Sequence, residues 1–259
     1  MCLILFSYQK HPIYQLVLAA NRDEFYSRPT APLGFHDKAG QILSGQDLKH
    51  NGTWLGLTKT GRMAAITNFR DPSTIVENAP SRGKLVSDFL ASDESSKAYL
   101  EKIKSTRKQY NGFNIIVGDV TGLFYYSNRE DKIQAIPPGV HGLSNKFLDT
   151  PWPKIEKGKA CLKEIIAAKE KINPEELFSI LKDHTYPPSH MLPNTGVGPC
   201  WEKILSPLFI SSKYYGTRSS SIILMEKTGR ATFVERTFFA ADSGPKEENT
   251  REFSFVVSI

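Results

Sequence analysis

Met1-Cys2-Leu3-Ile4-Leu5-Phe6-Ser7-Tyr8 opens the chain as an apolar run, and Tyr14-Gln15-Leu16-Val17-Leu18-Ala19-Ala20 answers it after His11-Pro12. Two such runs joined by a short polar break predict a β-hairpin. Both faces of the first strand are apolar, which predicts burial on both sides. The second strand runs straight into Asn21-Arg22-Asp23-Glu24. A hairpin centred near His11-Pro12 pairs positions summing to about 23, which sets Cys2 opposite Asn21. Asp23 is then a diagonal neighbour on the Cys2 side. Strict alternation sends Arg22 and Glu24 the other way, and a one-residue shift of the turn exchanges the two sets.

Cys2 follows the initiator directly. Removal of Met1 would leave a residue carrying both a thiol and a free α-amine, which is a nucleophile with its own base. An α-amine titrates at about 7.7–8.0, so part of it is neutral near pH 7. The bland role for Cys2 is that of a small apolar residue in a buried strand. Asp23 could hold the ammonium, and Arg22 could favour the thiolate.

Outward from this hairpin, hydrophobic residues make up 40% and charged residues 23% of 259. That is a globular balance with ample core and no need of disulfide staples. The three cysteines, Cys2, Cys161 and Cys200, form no CxxC pair. A reduced, cytoplasmic setting fits them better than secretion. The apolar start lacks a basic leader and meets Lys10 too soon for a signal peptide, and no apolar run reaches membrane-span length. The net charge of +6 is spread among acids, so no nucleic-acid partner is expected. His184, His190 and Cys200 lack zinc spacing, and no nucleotide-binding motif occurs, so neither metal nor cofactor is expected. Nothing signals an oligomeric state.

Further hairpins are expected over Thr53–Thr58 with Arg62–Phe69, and over Phe113–Gly118 with Leu123–Ser127. Short strands are expected at Ile42–Ser44 and Val140–Asn145. Asn21 to Gly40 reads as irregular because of Pro29 and Pro32. Helices are expected from a Ser81 cap to Ala91, over Ser95–Arg107, over Pro153–Lys169, and over Pro174–Lys182 capped by Asn173. Late strands are expected near Leu208–Ser211, Thr217–Lys227, Ala231–Phe239 and Phe253–Val257. Strands, then helices, then strands predict an antiparallel α+β architecture in a single domain, 1–259.

Met1-Cys2-Leu3-Ile4, Asn21-Arg22-Asp23-Glu24-Phe25, Asn51-Gly52-Thr53-Trp54-Leu55-Gly56, Ala65-Ile66-Thr67-Asn68-Phe69-Arg70, Gly142-Leu143-Ser144-Asn145 and Trp152-Pro153-Lys154 together resemble the NRDE family, also called the transport-and-Golgi-organisation-2 family. That family is in turn similar to the N-terminal-nucleophile hydrolases, nearest to the choloylglycine and penicillin V acylases. The resemblance implies a four-layer αββα sandwich of antiparallel sheets. It also implies amidohydrolase or acyltransferase chemistry on a small non-peptide acyl-amide or thioester. Residue by residue it implies Cys2 as nucleophile and Asp23 as anchor of the amine. Asn68 and Asn145 become oxyanion or amide ligands, and Arg218 a late arginine that orders the site. The acylases carry an arginine three residues before the aspartate, where Ala20 stands here, so Arg22 is the candidate replacement. The family's members also support an alternative, a non-catalytic carrier of haem or an acyl-lipid.

Overall fold

A computed structural model of the chain describes residues 2–239 and 245–257. Met1, both as the first residue of the expected strand and as a residue to be removed, lies outside them. The described residues form thirteen strands and five α-helices in two compact units.

The first unit comprises the chain up to Ser27, Pro138–Ser144 and Leu148–Phe255. Its strands are β1 (Cys2–Tyr8), β2 (Tyr14–Phe25), β10 (Gly139–Leu143), β11 (Tyr215–Glu226), β12 (Arg230–Phe239) and β13 (Lys246–Val256). They form one sheet in the order β10-β1-β2-β11-β12-β13. Helices α3 (Pro153–Ala168) and α4 (Pro174–Leu181) pack on it. Alternation explains the face they cover: Leu3, Leu5, Val17, Ala19, Ile222 and Leu224 share one core with Ile155, Leu162, Leu177, Phe178 and Leu181. Gly158 lets α3 sit close, since a Cβ there would meet Leu5 Cδ1 at 2.5 Å. Asn173 caps α4 with a full capping box. A short α5 (Pro199–Ile204) lies in the long connection to β11.

The second unit comprises Arg28–Pro137, Asn145–Phe147 and the chain from Val256. Its sheet is a seven-stranded meander in chain order: β3 (Thr30–Phe35), β4 (Ile42–Asp47), β5 (Leu55–Thr58), β6 (Met63–Asn68), β7 (Phe113–Asp119), β8 (Gly122–Ser127) and β9 (Lys132–Ala135). Helices α1 (Gly83–Leu90) and α2 (Ser96–Thr106) pack against it. They bury Leu85, Val86, Phe89 and Leu90, and Tyr99, Leu100 and Ile103. No helix among the described residues is long and apolar enough to cross a membrane.

Several expectations need correction. The 21–40 stretch is not irregular: β2 continues to Phe25, and β3 forms despite Pro32. Proline is tolerated because β3 is an edge strand and its register shifts between Ala31 and Gly34. Leu208–Ser211 is not a strand. Ser211 makes only an isolated bridge to Gly216, and Ile210 is tied to Thr217 in a tight return. Helix α1 starts at Gly83, with Arg82 rather than Ser81 at its cap and no side-chain capping bond. Strand β9 and helix α5 were not expected.

The largest correction concerns the first hairpin. Cys2 pairs with Arg22, not Asn21, and Leu3 pairs with Asn21. The last ladder pair is Tyr8 with Leu16, which leaves seven residues, Gln9 to Gln15, between them, so the pairing centre falls on Pro12 rather than between two residues. Gln9 takes a positive φ of 52°, and its N–H donates to Gln15 O at 2.8 Å. His11 Nδ1 accepts from the N–H groups of Ile13 (3.1 Å) and Tyr14 (3.2 Å), while Nε2 bonds Lys169 O at 2.8 Å. That imidazole fixes the loop length, and the loop length fixes the register.

Candidate active site

The corrected register brings Arg22 across the ladder from Cys2, on the same face of the sheet. Both are buried, Cys2 at 8% and Arg22 at 7% exposure. Burial pushes the Cys2 thiol up, and the Asp23 carboxylate pushes the same way. Arg22 and the Asp23 main-chain N–H oppose them without reversing the direction. The thiol therefore favours its protonated form.

Asn21 and Asp23 take the opposite face. Asn21 is a staple rather than a neighbour of Cys2. Its Nδ2 donates to Leu181 O (2.9 Å) and Leu208 O (2.8 Å), and its Oδ1 accepts from Ser220 Oγ (2.6 Å). It thereby satisfies the carbonyl of the last α4 residue, one of the groups a helix end leaves open. Asp23 is 1% exposed. Its Oδ1 accepts from Thr217 Oγ1 at 2.8 Å, and its carbonyl accepts from Tyr215 Oη at 2.9 Å. Glu24 turns back on its own strand, accepting from Phe25 N.

Arg218 stands where the β2–β11 ladder slips between Thr217 and Ser219. A bulge of this kind re-aims a side chain. Its Nη1 donates to the carbonyls of Phe25 (3.1 Å) and Tyr26 (2.9 Å), clamping the chain as it leaves β2. Ser144 Oγ donates to Cys2 O at 3.0 Å, anchoring the first described residue to the end of β10. The expected residues of this unit, Cys2, Arg22, Asp23 and Arg218, thus gather on and beside the end of β2.

Asn68 and Asn145 belong to the second unit and are joined there. Asn145 is fully buried, and its Nδ2 donates to Asn68 O at 2.9 Å. Arg70 holds Asn145 twice, N–H to carbonyl at 2.7 Å and Nη2 to Oδ1 at 3.3 Å. Asn114 extends the polar cluster: Nδ2 donates to Thr67 Oγ1 (3.1 Å) and Lys146 O (2.8 Å), and Oδ1 accepts from Tyr125 Oη (2.9 Å). Neither Arg70 nor Asn114 was singled out from the sequence. The available signal was Asn114 itself, a polar residue inside the apolar run of β7.

A family model described as Transport and Golgi organisation 2 matches residues 1–240. The Transport and Golgi organization 2 homolog of Mus musculus is 37% identical over 276 residues, covering 98% of this chain and 99% of that protein. Among solved structures, the Caenorhabditis elegans N-acylethanolamine-hydrolyzing acid amidase ortholog aligns with a TM-score of 0.53 at 10% identity, covering 86% of this chain and 92% of that one. A mutant of the conjugated bile acid hydrolase from Clostridium perfringens aligns with a TM-score of 0.53 at 12% identity, covering 100% and 99%. These likenesses give the fold class alone: α+β, an αββα sandwich of antiparallel sheets.

Proposed function

The chain belongs to the Transport and Golgi organisation 2 family, and from that premise we propose an N-terminal-cysteine amidohydrolase or acyltransferase. Its substrate is a small non-peptide acyl-amide or thioester. The observation that carries the reading is the register that pairs Arg22 with Cys2 on one face of the sheet. An arginine there replaces the charge that the acylases carry three residues before their aspartate, where this chain has Ala20.

With Met1 removed, the neutral α-amine takes the thiol proton. The sulfur attacks the substrate carbonyl carbon, and the carbonyl electrons move to oxygen. Arg22 favours the thiolate as it forms. The resemblance assigns Asp23 to the ammonium, and Asn68 and Asn145 to the oxyanion, where loss of one donor typically costs about 10²–10³-fold in rate. The ammonium protonates the leaving amine or thiol. Water, or an acceptor nucleophile, then releases the acyl group and frees the sulfur. Cys2, Cys161 and Cys200 are all free thiols, which supports a reducing, cytoplasmic place of work.

A panel of acyl-amides and thioesters incubated with the Met1-processed chain tests this. Turnover that falls at least about 10³-fold in Cys2→Ala is expected. No turnover of any member, together with haem or acyl-CoA binding indifferent to Cys2→Ala, would replace the enzyme with the carrier.

A further inference from the structure

Between α4 and β11 the chain runs from 182 to 214 with only one 3₁₀ turn and the six-residue α5. Connections beyond about 12–15 residues are uncommon and usually functional. Pro187, Pro188, Pro193, Pro199 and Pro207 stiffen this one, so little chain entropy is lost when it meets a partner.

Its surface is unusually apolar. Tyr186, Met191, Trp201 and Tyr214 are 47%, 50%, 41% and 67% exposed, and Phe25, at the end of β2, is 50% exposed. Half of the ten exposed large hydrophobic side chains among the described residues lie in this one region. Ring contacts join Phe25 to Trp201 through Tyr215. Tyr215 lies 5.1 Å from Phe25 and 6.1 Å from Trp201, each edge-on. Lys203 sits over the Tyr186 ring at 5.9 Å, and Lys213 over the Tyr214 ring at 5.1 Å.

The charges on this segment have one sign. The only acid between 184 and 214 is Glu202. It is 3% exposed, and its Oε1 accepts from Thr195 N and Oγ1, both at 2.6 Å. Asp183, just outside, is ion-paired with Lys157. Lys203 and Lys213 are exposed.

Tryptophan and tyrosine carry an apolar body and a polar tip, and they settle at the headgroup level of a bilayer. Lysines beside them are attracted to anionic headgroups. We propose that Phe25 and the 184–214 segment form a docking face for an anionic membrane surface. The face is held by aromatic side chains at headgroup depth and by Lys203 and Lys213 against the lipid charge. Because Phe25 directly follows Asn21–Glu24, docking would bring a membrane-borne acyl compound to the end of the unit that carries Cys2.

Co-sedimentation of the full chain with vesicles tests the face. Phosphatidylcholine vesicles are compared with phosphatidylcholine–phosphatidylserine vesicles at low and raised salt. The expected result is binding to the anionic vesicles only, weakened by salt. The Lys203→Glu/Lys213→Glu variant should partition at least about tenfold less. Trp201→Ser/Tyr214→Ser should lose binding while keeping the wild-type melting temperature. If that variant melts early, the charge variant, altered only at exposed lysines, decides alone. Equal binding to neutral vesicles, binding unchanged in the charge variant, or no vesicle binding by the wild type would each overturn the proposal. So would self-association that the aromatic substitutions abolish without any vesicle binding.

Discussion

Arg22 and Asn21 are chain neighbours with opposite duties, separated by the alternation of one strand. Arg22 shares a face with Cys2. Replacing it with alanine removes a positive charge that holds the thiol down, so the thiol rises further above its ordinary value. The pH profile of Cys2 alkylation should shift to higher pH in Arg22→Ala and much less in Arg22→Lys. An unshifted profile in Arg22→Ala would detach the guanidinium from the Cys2 thiol. Asn21 binds two main-chain carbonyls and a serine hydroxyl. Asn21→Ala should therefore cost about 1–3 kcal/mol, read by denaturant melts, with Cys2 alkylation unchanged in the folded protein. The residues of this cluster were legible in the sequence, because four polar positions follow the apolar run Leu16–Ala20. Their division between faces was not. It depends on whether the loop holds an even or odd number of residues, which a His11 side-chain bond to the main chain settles.

Strands and helices with strong periodicity stand where the sequence puts them, since alternation and apolar stripes report burial directly. The elements that escaped are short or polar: β9 is a four-residue edge of mixed exposure, and α5 has six residues. The β11 bulge escaped as well, because nothing local marks it. Gly216 just before it is legible only in space. A Cβ there would stand 2.1 Å from Tyr26 Oη and 2.6 Å from Ile210 O. Gly216→Ala should cost about 1–3 kcal/mol and weaken the Arg218 clamp on Tyr26. An unchanged melting temperature would refute this. At the β10 edge of the same sheet, Asp149 lies between β10 and α3. Burial raises its carboxyl, but hydrogen bonds from His141 Nδ1 (2.7 Å), Gly142 N (2.9 Å) and Lys159 outweigh that, leaving it below the usual carboxylate value. A lowered carboxyl stabilises the fold above its unfolded pKa, and the contribution vanishes as pH falls through the folded one. Asp149→Asn should lower the melting temperature at pH 7, and the difference from wild type should shrink as the pH falls below the ordinary aspartate range. A difference independent of pH would contradict the assignment.

For the whole molecule, the raised groups set the alkaline limit. Burial lifts the Cys2 thiol and the phenols of Tyr99 and Tyr126, and it pushes Tyr26 up to about 12. Each is neutral in the fold, so its stabilisation is complete below the unfolded pKa and fades as pH rises toward the folded one. Melting temperatures should hold level to about pH 9 and then fall steadily. A flat profile to pH 11 would contradict this. The fold class was legible because the matching blocks are spread from Cys2 to Trp152. The partition into two units was not, since it rests on pairings such as that of β2 with β11, nearly the whole chain apart. The proposed chemistry rests on one sulfur, and mass spectrometry can watch it directly. The Met1-processed chain is mixed with a thioester or acyl-amide, quenched in acid and digested. The expected result is an acyl group on the N-terminal Cys2 peptide, absent in Cys2→Ala and lost when the folded protein is left in neutral buffer before the quench. An N-terminus that keeps Met1, or acylation equal at Cys2, Cys161 and Cys200, would contradict it.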